Sequence, residues 1–185
     1  MKKYLLVFLV ILITLNGCSN LKKKSSDSSF EAYQSYYEAI EENSRFLDES
    51  LYFTLDGKMS KMPDGTYRYY VFLDNPQIAM YNIKFMAIEN NVPYTDSTKM
   101  MPSIGIFEDQ DYSLIPYQAN TPNGYVKGLV ISGETTQSEI QLKILVEWTD
   151  KTHEKFNREY FNYVLSERSF HTPSSNQISQ GEKNG

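Results

Sequence analysis

The chain has 185 residues, a length typical of one domain with short terminal extensions. Hydrophobic residues make up 41 % of it and aromatic residues 14 %, which is enough for a packed core and argues against wholesale disorder. The formal net charge is −5, and residues 30–168 hold 12 Lys and Arg against 21 Asp and Glu. Because phosphate binding needs a basic face, the sequence argues against a nucleic-acid partner.

The first seventeen residues have the three parts of a cleavable export signal. Lys2 and Lys3 form a basic start, residues 4–15 form an apolar run, and Gly17 is a small residue at the expected cleavage site. Twelve helical residues reach only about 18 Å, which is short of the roughly 30 Å hydrocarbon core of a bilayer. The pattern therefore predicts a signal peptide over 1–17 and not a permanent membrane span.

The stretch Leu15-Asn16-Gly17-Cys18 contains the one cysteine of the chain. It resembles the lipobox of bacterial lipoproteins, and this resemblance implies a diacylglycerol on the Cys18 thiol, with palmitate-type acyl chains, and cleavage after Gly17. Several acyl chains anchor a protein more firmly than one, which binds only marginally. The alternative is a secretory signal that leaves Cys18 as a free thiol, but a lone exported cysteine has no disulfide partner within the chain.

The segment 18–29 follows as the lipidated cysteine and a flexible tether, because lysines and then Ser and Asp residues show no apolar period. Two roles are open for the lysines at 22–24: they bind anionic lipid head groups, or they simply keep the segment soluble. These residues are Lys22, Lys23 and Lys24. Residues 30–168 form the predicted folded domain, and the Ser-, Asn- and Gln-rich segment 169–185 is predicted to be a disordered tail.

An amphipathic helix opens the domain. Ser28 and Glu31 have the spacing of a capping box, which predicts that the helix begins there. Its apolar stripe packs on the rest of the domain or, as an alternative, forms a coiled-coil stalk for a partner. The stripe consists of Phe30, Tyr33, Tyr37, Ile40, Leu47 and Leu51.

After Leu51 the apolar residues alternate with polar ones, as they do in half-buried antiparallel strands. Trp148 ends a strongly alternating run and is expected in the core. Seven or eight short strands separated by turn residues, among them Asp56-Gly57 and Ser132-Gly133-Glu134, predict a mainly β fold. The predicted architecture is an immunoglobulin-like antiparallel β-sandwich preceded by one amphipathic α-helix. The predicted strands are 52–55, 67–73, 81–87, 103–107, 113–117, 125–132, 140–148 and 156–165.

No catalytic motif is visible, so the chain is predicted not to be an enzyme and to need no cofactor or metal. His153 and His171 are the two possible imidazole bases, and we expect both to be solvated. The acidic run 108–111 could hold calcium in a loop, but its spacing does not fit an EF-hand, and a solvated hairpin turn is the simpler interpretation.

These observations predict a membrane-anchored extracytoplasmic lipoprotein that binds an envelope protein. A composition rich in Lys, Asn, Ile and Tyr resembles low-GC Gram-positive proteins, which implies the outer face of the cytoplasmic membrane. The alternatives are a carbohydrate or cell-wall binding module with tyrosine platforms, and an unrecognised small hydrolase. The tyrosines considered for such a surface, against ordinary packing, are Tyr67, Tyr69, Tyr70, Tyr94, Tyr112, Tyr117 and Tyr125.

Overall fold

A computed structural model describes residues 20–108 and 110–173, with side chains from residue 28 onward. Within these residues the chain forms one α-helix, α1 (Asn20–Glu42), followed by ten strands. Two short 3-10 turns, Tyr94–Asp96 and Thr121–Asn123, lie in the loops. The strands are β1 (Thr54–Lys61), β2 (Tyr67–Asp74), β3 (Tyr81–Glu89), β4 (Ser103–Ile104), β5 (Ser113–Leu114), β6 (Tyr125–Val126), β7 (Leu129–Thr135), β8 (Glu139–Thr149), β9 (Phe156–Ser166) and β10 (Phe170–His171).

Most of the strands belong to two antiparallel sheets. One sheet has the order β1-β2-β7, and the other has the order β10-β9-β8-β3-β4. Immunoglobulin-type sandwiches place their strands A, B and E in one sheet and C, F and G in the other. Since β1, β2 and β7 oppose β3, β8 and β9 in the same order, the predicted β-sandwich preceded by one helix is confirmed. β5 and β6 form a separate parallel pair.

The main core lies between the two sheets, where the predicted alternation is correct. Tyr69, Val71 and Leu73 of β2 are all fully buried. Trp148 of β8 is 1 % exposed and meets the Phe53 ring edge-on, with centroids 5.7 Å apart. Its predicted place in the core is therefore confirmed, and aromatic packing of this kind adds to simple area burial.

The central strands of the five-stranded sheet, β3 and β8, are buried on both faces over much of their length, which alternation alone did not predict. Met86 of β3 and Leu145 of β8 point away from the main core, yet both are fully buried. They belong to a second cluster in which Tyr33, Tyr37 and Ile40 of α1 cover the sheet. The expectation that the helical stripe packs on the domain is confirmed for these three residues. The other predicted members, Phe30, Leu47 and Leu51, are exposed, and the last two lie beyond the helix.

The ends of the helix differ from the prediction. α1 begins at Asn20, so the predicted capping box at Ser28 is wrong, and most of the predicted tether has helical backbone. Its Lys-rich start is made of good helix formers, and serine is tolerated there. The helix ends at Glu42 instead of Leu51. The Asn43 side-chain amide donates to the Arg45 carbonyl at 2.7 Å, and local bonds of this kind compete with a helix.

Two glycines that suggested turns lie inside strands. Gly57 is in β1, where a Cβ atom would overlap the Phe170 ring, and Gly133 is in β7, where it would overlap the Tyr69 ring. Each glycine makes room for an aromatic side chain from a distant part of the sequence. The predicted turns at both positions are therefore wrong, and β1 and β7 extend through them.

Three predicted strands are short or divided. The 103–107 strand stops at Ile104, where Gly105 takes a positive φ of 81°. The 113–117 strand stops at Leu114, since Pro116 has no N–H to donate to a ladder. The 125–132 strand is divided into β6 and β7.

The carboxyl end of the sandwich extends beyond the predicted boundary at Arg168. Phe170 and His171 form β10 on β9, and the Phe170 ring lies 4.3 Å from that of Tyr163. This part of the predicted disordered tail is ordered, and residues 174–185 lie outside the described residues. Over the described ranges, no helix has the length and apolar character to cross a bilayer.

Candidate functional site

The predicted lipid attachment site, Cys18, and the cleavage residue, Gly17, lie outside the described residues. α1 begins two residues after Cys18 and continues without interruption to Glu42. The chain that follows the predicted anchor is therefore part of the same helix that packs on the five-stranded sheet.

The candidate tyrosines do not share one surface. Tyr69 is buried in the main core, and Tyr94 packs beneath the helix with its ring 5.4 Å from that of Tyr37. Tyr112 packs against the main core. Tyr70 stacks on Phe72, which lies on the same strand, β2, of the three-stranded sheet. Most of these rings therefore support the fold, and a single platform built from several loop tyrosines is not present in the described part of the chain.

Tyr117 is different from the other tyrosines because its side chain is fully exposed. Pro116 and Tyr117 form the centre of a turn in which the Gln118 amide donates to the Ile115 carbonyl at 3.1 Å. Tyr117 has a φ of +62°. A proline followed by a positive φ defines a type II turn, whose third position normally holds glycine or asparagine. The sequence pattern assigned this residue to a strand, although Pro116 was a signal for a turn.

The Tyr117 turn forms one wall of an open cleft of about 500 Å³, which we call the Tyr117 cleft. The opposite wall is the loop between β2 and β3, and Lys127 enters from the segment between β6 and β7. The main lining consists of Asn75, Pro76, Gln77, Pro116, Tyr117, Gln118 and Lys127.

Main-chain hydrogen bonds fix both walls of the cleft. Leu114, just before the turn, exchanges two backbone hydrogen bonds with Met80, at 2.8 and 2.9 Å. The Gln77 amide donates to the Tyr52 carbonyl at 2.7 Å, and its side chain donates to the Asn75 carbonyl at 2.9 Å. The side chains of the cleft are therefore presented on a preformed backbone.

The cleft lies at the end of the sandwich where the β2–β3 loop crosses from the three-stranded sheet to the five-stranded sheet. Tyr81 at the start of β3 pairs with Thr149 at the end of β8, so the β8–β9 hairpin lies at this end too. In immunoglobulin variable domains, the equivalent loops form the antigen-binding surface. This position is shared with many ligand sites, although the fold alone does not assign a function.

His153 lies in the β8–β9 hairpin, as the sequence suggested. Its Nδ1 atom is 3.2 Å from the Thr149 hydroxyl, and its ring centroid is 6.5 Å from that of Tyr81. Among the described residues, neither His153 nor His171 forms an ion pair with a carboxylate. The described geometry therefore does not assemble a histidine with an acidic partner.

The acidic run 108–111 does not form a calcium loop in its described part, and Asp109 is outside that part. The Glu108 carboxylate accepts from the amides of Gly105 at 2.7 Å and Phe107 at 3.2 Å. Asp111 lies 3.8 Å from the Lys84 ammonium group. No group of three potential metal ligands occurs among the described residues.

A buried carboxylate, Glu89 of β3, joins the two sheets. It is 4 % exposed and accepts from the Tyr69 hydroxyl at 2.5 Å and from the Lys99 ammonium at 2.8 and 2.9 Å. Burial, reinforced by the charge of Glu89, raises the pKa of Tyr69, which keeps its proton available for this bond. Lys99 also donates to the Glu134 carbonyl.

A second buried carboxylate, Glu147 of β8, joins α1 to the five-stranded sheet. It accepts from the Tyr36 hydroxyl at 2.6 Å and from the Arg158 Nε atom at 2.7 Å. The Arg158 guanidinium also lies 5.5 Å from the centre of the Tyr36 ring. Burial and the adjacent carboxylate raise the pKa of Tyr36. The alternation along β8 places Glu147 on the outward, polar side of the strand. Alternation within one strand does not report that α1 covers this side of the sheet.

Comparisons with known proteins give no family assignment. No protein-family model matches the chain, and no curated protein sequence matches it. One solved structure, described as "Crystal structure of protein from Archaeoglobus fulgidus", is 7 % identical and covers 61 % of this chain and 94 % of its own, with a TM-score of 0.29. A TM-score of this size does not establish a shared fold.

Proposed function

We propose that this chain is a lipid-anchored extracytoplasmic binding protein and not an enzyme. Acylated Cys18 holds it at the outer face of the cytoplasmic membrane in a Gram-positive type of cell. The sandwich presents the Tyr117 cleft to a component of the envelope.

The display of Tyr117 is the observation that carries the binding proposal. A non-glycine residue at positive φ costs about 1–2 kcal/mol, and an exposed aromatic ring recovers nothing by packing. In the described part of the chain, the Tyr117 side chain has no hydrogen bond or aromatic contact that offsets this cost. A strained, uncompensated aromatic residue beside a cleft is explained by a ligand that packs against it.

The continuity of α1 supports the anchoring proposal. The helix starts two residues after Cys18, and its later turns are fixed to the sheet by Tyr33, Tyr37 and Ile40. At about 1.5 Å per residue, the segment 20–29 adds about 15 Å of helix between the anchor and the packed part. This helix replaces the flexible tether as the spacer between the membrane and the sandwich.

The pairing of buried charges supports binding over hydrolysis. Catalytic carboxylates need a cleft that a substrate can enter, with a second group positioned for proton transfer. Glu89 and Glu147 are instead covered and joined to Lys99 and Arg158. Lys99 lies outside the strand that holds Glu89, and Arg158 lies outside the strand that holds Glu147. Each ion pair therefore joins two parts of the fold, which is a structural role.

Mass spectrometry of the protein from its native membranes tests the anchor. We expect the amino-terminal peptide to begin at Cys18 and to carry a diacylglyceryl group. Cys18→Ala should block lipidation and disturb processing or membrane retention, while the matched control Ser19→Ala should leave the protein lipidated and membrane-bound. An unmodified Cys18 thiol on a soluble product would contradict the proposal.

Site-specific photocrosslinking on intact cells tests the binding role. A photoreactive phenylalanine in place of Tyr117 should form adducts with an envelope component, and the same group in place of exposed Phe156 is the control. Equal crosslinking at both positions would indicate random contact and would contradict a specific role for the Tyr117 cleft.

A further inference from the structure

We propose that the Tyr117 cleft binds an acidic oligosaccharide, with Tyr117 as the stacking platform and Lys127 as the partner of the ligand's acidic group. This inference rests on the proposed binding role and names the ligand class of the same site. Three features of the cleft support it: the geometry of the ring, the chemistry of the walls and the sign of the charge.

The ring of Tyr117 offers a flat surface on a backbone that is held in place. Pro116 restricts the backbone before it, and the bond from the Gln118 amide to the Ile115 carbonyl closes the turn. Because the side chain is fully exposed, both faces of the ring are open to a ligand. The C–H face of a pyranose ring is apolar and slightly positive, so it packs on the electron-rich face of an aromatic ring.

The walls of the cleft match sugar hydroxyl and acetamido groups. Asn75, Gln77 and Gln118 line it, and an amide side chain has both donors and acceptors. Asn75 and Gln77 each use one N–H within the fold, and each keeps a second N–H and its carbonyl oxygen. A hydroxyl group also donates and accepts, so neighbouring amides can bind it in both directions. Across the described residues, the Gln118 side chain makes no hydrogen bond, which leaves its amide for a ligand.

The same chemistry is less suitable for a protein partner. The core of a protein interface is largely apolar and as tightly packed as a protein interior. Here the aromatic ring projects outward, and the groups around it are amides, prolines and one lysine. A ligand that places a flat apolar face on the ring and polar groups on the rim fits this arrangement better.

Lys127 indicates that the sugar carries a negative charge. Its side chain is exposed at the cleft, and it forms no ion pair within the described ranges. The folded part of the chain is acidic, with 12 Lys and Arg against 21 Asp and Glu over residues 30–168, which disfavours a dense polyanion. The acidic group of the sugar is therefore placed beside Lys127, where an unpaired ammonium group favours a carboxylate over a cation or a neutral group.

Titration calorimetry with defined oligosaccharides tests the assignment. The probes are a neutral tetrasaccharide of β-1,4-linked N-acetylglucosamine, its counterpart with lactyl carboxylates on alternate sugars, and a tetrameric uronic acid. The full chain is used both as the membrane-extracted lipoprotein and as the non-lipidated Cys18→Ala variant, each purified in the same detergent. The sugar result is therefore independent of the anchor, and a failed anchor does not remove the test.

We expect the lactyl probe to bind with the highest affinity. Tyr117→Ala should weaken it at least about tenfold, as in other stacking platforms, whereas Tyr117→Phe keeps the ring and should bind normally. Lys127→Gln should lower affinity for the two acidic probes about two- to fivefold, the range of an exposed ion pair, and should leave the neutral probe unchanged. The control Phe156→Ala removes an exposed aromatic ring outside the cleft and should change nothing.

Four results would overturn the inference or one of its parts. If no probe binds at millimolar concentration, or if Tyr117→Ala binds as well as the wild type, the cleft is not a sugar site. If Lys127→Gln retains the full preference for acidic probes, the role of Lys127 is wrong. Crosslinking of position 117 to an envelope protein, with no probe binding, would remove the sugar assignment and leave the binding proposal intact.

Discussion

Two regions of the molecule differ in how their polar and aromatic groups are placed. One is the interface between α1 and the five-stranded sheet, and the other is the Tyr117 cleft. At the interface, Glu147 is buried and receives hydrogen bonds from both Tyr36 and Arg158. At the cleft, Tyr117 is exposed on a strained turn, and Lys127 has no ion pair among the described residues. The polar groups at this interface are therefore partnered internally, whereas the Tyr117 ring and the Lys127 ammonium group are available to a ligand.

The largest expected effect concerns the other buried carboxylate. Glu89→Ala removes the acceptor of the Tyr69 hydroxyl and the partner of Lys99, so two donors lose their bonds at once. We expect the free energy of unfolding to fall by about 2–3 kcal/mol, since Lys99 is half exposed and recovers some hydration. Urea denaturation would measure it.

Glu134→Ala is the matched control for this change. Glu134 pairs with Arg68 on the surface, where both side chains are largely exposed. Its removal should change stability by less than about 1 kcal/mol. If both variants lost equal stability, Glu89 would not be a buried linker between the sheets.

Tyr36→Phe tests the attachment of the helix. The change keeps the ring beside Arg158 and removes the hydrogen bond to Glu147. A bond to a charged acceptor contributes about 1.5–3 kcal/mol, and we expect a loss near the lower limit because Arg158 still pairs with Glu147. Hydrogen exchange should show faster opening of α1, whereas unchanged exchange would contradict a role for this bond in holding the helix.

Tyr117→Gly should make the protein more stable. Glycine adopts a positive φ without strain, and the exposed ring contributes no packing, so we expect a gain of about 1 kcal/mol in the free energy of unfolding. Ligand binding should be lost in the same variant. Calorimetric unfolding would measure the gain, and a loss of stability would show that the ring supports the fold.

The smallest effect concerns Glu159 and depends on pH. Burial raises the pKa of Glu159, and a hydrogen bond from the Ser50 side chain offsets part of that effect. The folded state thus holds this proton to a higher pH than the unfolded chain, whose pKa is about 4.3, and stability is lost as pH rises through the folded-state value.

Glu159→Gln should therefore raise the melting temperature at pH 7 and leave it unchanged below the unfolded-state pKa. Glu154→Gln, at an exposed position in the β8–β9 hairpin, is the control for removing a charge. A gain that persisted at low pH would indicate that packing, and not ionisation, explains the effect.

Much of the fold was predictable because strand faces are recorded in local patterns. Alternation identified the buried side of β2, and the spacing of Tyr33, Tyr37 and Ile40 identified the face of α1. The cleft was less predictable. Tyr117 was one of seven tyrosines that the sequence offered equally as parts of a binding surface. Only its φ and its exposure separate it from the others.

The sequence by itself predicted an export signal around Cys18, and it determined the antiparallel strands and the order in which they follow the helix. Tertiary structure decided where α1 ends, which glycines lie in strands and which tyrosine is displayed. Gly57 depends on Phe170, and Gly133 depends on Tyr69, across large separations in the chain. Local periodicity reports which side of an element is buried, but only the packed fold brings together the residues that bury it.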